Sequence, residues 1–300
     1  MLGCSKSASS MAVAMSYKSP FIIPPSHMRR SADEAKARIS EGSESDQVTL
    51  LNVVQLRDAY FKKQRKSQFY TYCRSNLINV NTIQMVSDLR KNIARELSSI
   101  GYPDPAASNT WHNRNEVQGN LPFLQSAIVA GVYPNVASRQ EGATNFSTST
   151  NIKTKIHVSS VNAVKGQPLA KKGSMLEFVA FGEMMKGKAM YTCNQTTYLH
   201  SIIPVILLCG QFCIRGANIR DEDEAKQTKS VISVDEWIAF QCDKSLAAGL
   251  AVLRKRLESI FNHIVADPRT GFDGLSAMEI ETLNVLDSVM RSSFQSSPRR

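Results

Sequence analysis

The chain has 300 residues, of which 42% are hydrophobic and 21% are charged, and this balance excludes a generally disordered protein. The length favours two domains. The formal net charge of +10 favours a polyanionic partner, either a nucleic acid or an anionic membrane surface, although net charge carries no information about the fold.

Cysteine spacing and hydropathy argue against several further classes of protein. No two of the cysteines form a CxxC pair, and Cys209 and Cys213 lie in an apolar run where buried free thiols are the usual occupants. We therefore expect neither a zinc site nor a disulfide framework. The longest apolar run, 202–214, is interrupted by proline, glycine and glutamine and is shorter than the ~20 residues of a membrane span. We expect an intracellular protein, cytoplasmic or nuclear, with no membrane partner.

The first predicted domain, residues 1–110, is a helical bundle. Ser31 and Glu34 have the spacing of a capping box, in which two side chains bond free backbone N–H groups at a helix start. Asp46 is the expected N-cap of a second helix that ends in the basic run 62–66.

The clearest helical pattern covers residues 81–99. Apolar residues recur there every three or four positions, which predicts one buried face: Ile83, Val86, Leu89, Ile93, Leu97 and Ile100. The next stretch, 103–115, is rich in proline, asparagine and serine and predicts a connection between domains.

The second predicted domain, residues 115–240, begins with a helix at 121–132 and then changes its hydrophobic period. Four residues, Ile152, Thr154, Ile156 and Val158, alternate with Lys153, Lys155 and His157, which predicts a strand with one buried face and one basic face. Further short strands are expected at 176–181, 189–193 and 230–240. Several short strands in about a hundred residues indicate a small closed barrel. Residues 241–300 are expected to form an amphipathic helix at 246–264 and a serine-rich tail.

Motifs of nucleotide hydrolysis and nucleophilic catalysis are not found. The chain contains no GxxxxGK[ST], no GxGxxG after a strand, no DExH and no GxSxG, and its histidines are scattered. We therefore predict no catalytic residue, no metal site and no cofactor site, and we expect no ATPase or helicase activity from this chain alone.

Several segments, taken in order, resemble the C-terminal part of DEAH-box RNA helicases of the RNA helicase A type. They are LGCSKSASSMAVAMSYKSPF at 2–21, AGVYPNVA at 130–137, KIHVSSVN at 155–162 and TTYLHSIIPVILLCGQFCI at 196–214. The resemblance extends to about residue 265. Two positions depart from the family pattern: Val158 stands where the family has proline, and LLCGQF replaces LLLFGG.

The resemblance implies an architecture and its cofactors. Residues 1–110 would be the helicase-associated ratchet domain, 115–240 an oligonucleotide-binding (OB) fold, and 241–300 a C-terminal helix and tail. The expected fold class is α+β, with an N-terminal helical bundle followed by a small OB-fold-like β-barrel and a C-terminal amphipathic helix. ATP and Mg²⁺ would bind the motor domains, which this chain lacks.

The candidate site residues follow from the quoted motifs. Lys153, Lys155 and His157 share one strand face, where they would attract RNA phosphates, while Ser159, Ser160 and Asn162 would bond phosphate and sugar from the next loop. Lys18 and Ser19, at the end of the first helix, are further candidates. Two alternatives remain open here: the loop residues satisfy the backbone of a turn, and Lys18 and Ser19 brace a loop.

The leading functional hypothesis is an RNA-binding accessory module that guides single-stranded RNA leaving a helicase motor. The alternative is a protein-docking module of a helicase complex without intrinsic RNA binding. Single-stranded RNA is thus the main expected partner, with the motor domains or helicase-regulating proteins as further candidates.

Overall fold

The computed structural model describes residues 2–102, 120–140, 142–163, 176–216, 229–269 and 274–295. The predicted connection at 103–115 lies outside these residues. The chain divides into two compact units, a larger one built from 2–128 and 135–199 and a smaller one built from 129–134 and 200–300. The domain boundaries predicted from the sequence stay predictions.

Helices dominate the first part of the chain. They are α1 (Ser5–Ser16), a turn of 3-10 helix (Ser26–Met28), α2 (Arg29–Ser40), α3 (Asp46–Lys62), α4 (Lys66–Ser75), α5 (Val80–Ser99) and α6 (Leu121–Val132). Helix α3 is central to this bundle, because its Val48 and Leu51 are completely buried against residues of α1 and α6. Its Leu50 and Val54 join a second cluster with α1 and α5.

The sequence pattern predicts where helices α5 and α6 lie, but it does not predict which residues cap α2 and α3. Helix α6 has the predicted bounds, and α5 begins one residue before its predicted start. The capping box predicted at Ser31 is wrong, because α2 already begins at Arg29. The predicted cap Asp46 is also wrong: the N-cap of α3 is Ser45, whose Oγ accepts a hydrogen bond from the Val48 N–H at 3.1 Å.

The apolar face of α5 is covered over only half its length. Ile83 and Val86 are buried, whereas Leu89, Ile93 and Ile100 are exposed. The expectation of one continuous buried face is therefore wrong for the C-terminal half of this helix.

A closed barrel of five strands follows the helices in the larger unit. The strands are β1 (Val136–Gln140), β2 (Phe146–Thr148), β3 (Lys153–Ile156), β4 (Leu176–Lys186) and β5 (Tyr191–Tyr198). Their order around the barrel is β1-β2-β3-β5-β4, and β4 pairs with β1 to close it. All pairs are antiparallel except β3 with β5. The barrel, the helices before it and the helix after it confirm the predicted α+β fold class.

Strand β3 is shorter than its alternating pattern. Thr154 is completely buried and Ile156 partly so, as predicted for the inner face, but Val158 is 78% exposed. The strand ends at Ile156 because the chain then turns, with the Ser160 N–H donating to the His157 carbonyl at 3.0 Å. The expectation that Val158 lies on the buried face is therefore wrong.

The smaller unit contains a second sheet and a pair of long helices. Its elements are α7 (Ile203–Leu208), β6 (Phe212–Gly216), β7 (Lys229–Val234), β8 (Ile238–Asp243), α8 (Lys244–Ala266) and α9 (Ala277–Gln295). The predicted single strand at 230–240 is in fact the hairpin β7–β8, because Asp235 and Glu236 both adopt positive φ, of 48° and 64°, in a tight turn. These strands form a three-stranded sheet separate from the barrel.

Helix α9 occupies part of the predicted tail. Leu283, Leu286 and Met290, at helical spacing, are buried. A true capping box begins this helix: the Ser276 N–H donates to the Glu279 carboxylate at 2.8 Å, and the Glu279 N–H donates to Ser276 Oγ at 3.4 Å. A hydrogen bond with His263 of α8 at 2.9 Å, together with these contacts, lowers the pKa of Glu279 to about 2.

The cysteines are free, and most are packing residues. Burial raises the pKa of the Cys73 thiol to about 11 and that of Cys209 to about 12, so neither is a ready nucleophile. Within the described ranges, no group of His, Cys, Asp or Glu side chains could hold a metal ion. A search of those same residues also finds no helix with the length and apolar character needed to cross a bilayer.

Arg254 binds the end of a neighbouring helix. Its guanidinium donates to the carbonyls of Ile206 at 2.5 Å and Cys209 at 2.8 Å, and also to that of Gly210. Ile206 belongs to the last turn of α7, Cys209 is its C-cap and Gly210 follows it, so Arg254 satisfies carbonyls at the C-terminal end of this helix. Although Arg254 belongs to the basic run 254–256, its donors are used inside the fold.

Replacing Arg254 by alanine should destabilise the smaller unit by roughly 2–3 kcal/mol, since several charge-assisted hydrogen bonds to backbone carbonyls are lost. The matched control is Lys255→Ala, at an exposed position of the same run, which should change stability by less than about 0.5 kcal/mol. Urea unfolding followed by circular dichroism and tryptophan fluorescence measures both variants. Equal effects of the two substitutions would contradict a structural role for Arg254.

Candidate nucleic-acid interface

The outward face of β3 presents two lysines. Lys153 and Lys155 are exposed on either side of the buried Thr154, so their Cα atoms are about 7 Å apart along an extended strand. The Lys153 ammonium donates to Ser147 Oγ at 2.8 Å. Among the described residues, neither lysine has a carboxylate within salt-bridge distance. Both positive charges are therefore available to an anion in solution.

His157 is the first residue after the end of strand β3. Its backbone N–H donates to the Cys193 carbonyl at 2.9 Å, and this hydrogen bond keeps the chain beside β5. Its ring Nδ1 accepts a hydrogen bond from the Ser159 N–H at 3.2 Å and lies 2.7 Å from Ser159 Oγ. Because Nδ1 is the acceptor, the neutral ring carries its proton on Nε2, which makes Nε2 a hydrogen-bond donor.

A groove of about 310 Å³ in the larger unit collects further candidate residues. The end of α1, the start of α3, the turn after β3 and the hairpin of β4 and β5 contribute to its walls. Polar residues of the lining include Lys18, Ser19, Lys36, Ser159, Glu183 and Asn194. The structure thus brings Lys18 and Ser19 to the same groove as Ser159, while Lys153 and Lys155 lie outside it on β3.

Backbone pairing sets the position of Lys18 and Ser19. The segment just after them is extended: the Asn79 N–H donates to the Pro20 carbonyl at 2.8 Å, and Phe21 pairs with Ile78. This pairing fixes the chain against the connection between α4 and α5. Lys18 and Ser19 remain exposed where the chain leaves α1.

The side chains of Ser160 and Asn162 point inward, unlike that of Ser159. Both residues are buried. Ser160 Oγ donates to Asp46 Oδ2 at 2.6 Å, and Asn162 Nδ2 donates to the Glu44 carbonyl at 2.9 Å and the Thr196 carbonyl at 3.2 Å. These hydrogen bonds join the turn after β3 to the start of α3 and to β5, so both polar groups have partners within the protein.

The Asp46 carboxylate is the acceptor that joins these segments. Its Oδ1 accepts from Lys36 Nζ at 2.9 Å and from the Val161 N–H at 2.9 Å. Its Oδ2 accepts from Ser160 Oγ at 2.6 Å and from the Thr196 N–H at 2.9 Å. As the first residue of α3, Asp46 also lies at the positive end of the helix dipole.

Residues beside Asp46 extend the same junction. Ser45 Oγ lies 2.5 Å from Thr197 Oγ1, and Gln47 Nε2 donates to the Gln195 carbonyl at 2.5 Å. The Gln195 side chain of β5 lies close to Gly182 of β4, where a Cβ would be only 2.3 Å from the Gln195 amide oxygen. A larger residue at position 182 would therefore have to displace the Gln195 side chain.

The stretch GEMMKGK at 182–188 contains the spacing GxxxxGK, but it is not a phosphate-binding loop. Ala189 stands where Ser or Thr would hold Mg²⁺. The stretch also lies in β4 and the turn after it, rather than between a strand and a helix N-terminus. Residues 182–188 therefore do not have the geometry of a loop that binds a nucleoside triphosphate.

Sequence reasoning missed Lys36, Asp46, Glu183 and Asn194 as groove residues. Glu183 and Asn194 face each other across the hairpin, with Asn194 Nδ2 donating to Glu183 Oε1 at 3.2 Å. Local patterns contain no signal for this set, because its members come from α2, α3 and two strands. Only the pairing of these elements brings the side chains together.

Ser159 and Ser160 form a natural test pair. Ser160→Ala should destabilise the protein by about 1–3 kcal/mol, because the buried Asp46 carboxylate and the Asn162 N–H each lose a partner. Ser159→Ala, at an exposed position, should cost less than about 0.5 kcal/mol. Urea unfolding of both variants and the parent gives the difference. Equal stabilities would contradict the inward role of Ser160.

Residues 124–212 match a family model described as an oligonucleotide/oligosaccharide-binding (OB) fold. This range contains all five barrel strands.

Curated relatives are DExH-box helicases of low sequence identity. The Arabidopsis thaliana DExH-box ATP-dependent RNA helicase DExH1 is 26% identical over 267 residues, 88% of this chain and 24% of the relative. The human ATP-dependent RNA helicase DHX29 is 24% identical over 94% of this chain and 20% of the relative. The mouse ATP-dependent DNA/RNA helicase DHX36 is 24% identical over 96% of this chain and 28% of the relative.

The chain thus spans about a fifth to a quarter of the length of these relatives. The similarity extends over about nine tenths of the chain itself, and the OB-fold match coincides with the closed barrel. Together these findings confirm the resemblance to the C-terminal, OB-fold-containing region of DEAH/DExH-box RNA helicases.

Proposed function

We propose that this chain is the RNA-binding accessory module of a DExH-box RNA helicase and guides single-stranded RNA. The observation that supports the proposal is the β3 row, which is formed by Lys153 and Lys155, exposed on one face of this strand. Lys153, Lys155 and His157 follow one another on β3 and its end, and His157 contacts Ser159, which lines the groove with Lys18.

Charge supports a path for the phosphate backbone along this row. Lys153, Lys155 and Lys18 are exposed cations, and lysine ammonium groups attract phosphates without regard to base sequence. The His157 ring adds an N–H donor at Nε2 next to the row. The overall charge of +10 acts in the same direction at longer range.

Two further residues of the groove lining suit the sugar and base. Glu183 and Asn194, which also line the groove, belong to the β4–β5 hairpin, and a carboxylate repels phosphate but accepts hydrogen bonds from ribose hydroxyls or base amino groups. In this proposal Ser160 and Asn162 shape the loop from inside, because their polar atoms already have partners in the protein. ATP and Mg²⁺ would bind motor domains rather than this chain.

Protein docking is a second candidate, favoured by one surface. Helix α5 and its C-cap residue Ile100 expose apolar side chains at helical spacing, namely Met85, Leu89, Ile93 and Ile100. A protein-docking module would not need the lysines of the β3 row. A measurement of RNA binding therefore distinguishes the two proposed functions.

Single-stranded RNA binding should weaken steeply with salt. If about three to five phosphates are neutralised, log K should fall against log salt with a slope of roughly −2 to −3.5. Replacing both Lys153 and Lys155 by alanine should reduce the steepness by about 1.4, at ~0.7 per phosphate contact. Fluorescence anisotropy of a labelled oligouridylate across a salt series measures these slopes.

The matched control is Lys91→Ala, which removes an exposed lysine on α5, away from the β3 row. It should leave the slope unchanged. If the parent binds no RNA at low salt, the proposal fails and protein docking is favoured. If the Lys91 variant loses as much slope as the double variant, binding is diffuse and the β3 row is not the path.

A further inference from the structure

The two lysines of the groove have different surroundings. Lys36 Nζ donates to Asp46 Oδ1 at 2.9 Å and to the Ser159 carbonyl at 2.6 Å, and it lies 5.1 Å from the centre of the Phe21 ring. Lys18 is exposed and lies 6.0 Å from the ring centre of Tyr17. Among the described residues, Lys18 has no carboxylate within salt-bridge distance.

The charge of Lys36 is already compensated. Its side chain is 17% exposed and that of Asp46 is 7% exposed, so the ion pair is largely removed from water. Withdrawing the ammonium towards an RNA phosphate would leave the buried Asp46 carboxylate without its cation, which is costly. Lys36 is therefore unsuited to release counterions on RNA binding, although it lines the groove.

Lys36 also connects segments that are distant in the sequence. It belongs to α2, Asp46 begins α3, and the Ser159 carbonyl lies in the turn after β3. Through Asp46, the same network reaches the N–H groups of Val161 and Thr196. The position of Ser159 at the groove thus depends on this buried pair.

We propose that Lys36 and Asp46 are positioning residues for the RNA surface and that Lys18 is the cation of the groove that binds phosphate. This inference rests on the proposed function, since it assigns separate roles within the same surface. It predicts that substitutions of two lysines in one groove weaken RNA binding in distinguishable ways.

Lys36→Met tests the positioning role, because methionine keeps an apolar stem over Phe21 and removes the ammonium. The dissociation constant for oligouridylate should rise roughly fivefold to thirtyfold, with the salt slope unchanged. Amide hydrogen exchange in peptides covering 155–163 and 194–198 should accelerate, because the turn loses a donor and Asp46 loses its counterion. Lys36→Arg, which keeps the charge and the donors, should restore most of the affinity and protection.

Lys18→Ala is the matched comparison in the same groove. It should reduce the steepness of the salt slope by about 0.7 and leave hydrogen exchange in both peptides unchanged. Asp46→Asn gives a second route to the positioning role, since it keeps a similar shape while removing the charge, and it should accelerate hydrogen exchange in both peptides as Lys36→Met does. Circular dichroism establishes whether each variant is folded. If Asp46→Asn does not fold, Lys36→Met and Lys36→Arg are enough to test the positioning role.

The inference is overturned if Lys36→Met reduces the salt slope as Lys18→Ala does, or if hydrogen exchange at 155–163 is unchanged by Lys36→Met. Failure of the proposed function has a different signature: the parent itself then binds no oligouridylate. In that case accelerated exchange in Lys36→Met still supports the positioning of the turn by Lys36, whereas unchanged exchange rejects it.

Discussion

The structure of the larger unit depends on the hydrogen bonds that the buried carboxylate of Asp46 accepts. An anion removed from water is stable only when donors surround it, and here they come from Lys36, Ser160, Val161 and Thr196. Each donor belongs to a different helix, turn or strand from the acceptor. Satisfying one side chain therefore fixes the barrel, and the turn after β3, against the helical bundle.

This constraint separates the basic residues into two groups with different roles. Lys36 and Arg254 use their donors inside the protein, on a carboxylate and on helix-terminal carbonyls. Lys18, Lys153 and Lys155 keep exposed ammonium groups. Net charge alone does not distinguish the groups, because a cation satisfied by buried acceptors contributes little to the attraction of an external polyanion.

Two copies of the same capping-box pattern show that local sequence alone does not determine whether a helix is capped. Ser31 and Glu34 have the same spacing as Ser276 and Glu279, yet only the second pair caps a helix. At the first pair the preceding residues are already helical, and Glu34 bonds Arg30 at 3.0 Å instead. A capping side chain needs a free N–H at a helix start, and the neighbouring chain decides whether one exists.

Local periodicity was sufficient to predict α5, α6 and the inner and outer faces of β3, because side-chain direction repeats with the backbone geometry of each element. The order of the motifs was sufficient to predict a bundle followed by an OB-like barrel. Tertiary structure decided that Val158 is exposed, that Ser160 and Asn162 point inward, and that Lys18 lies in the groove with Ser159. These outcomes depend on barrel closure and on hydrogen bonds between segments far apart in the chain. Such contacts produce no periodic pattern in the local sequence, so they cannot be predicted from it.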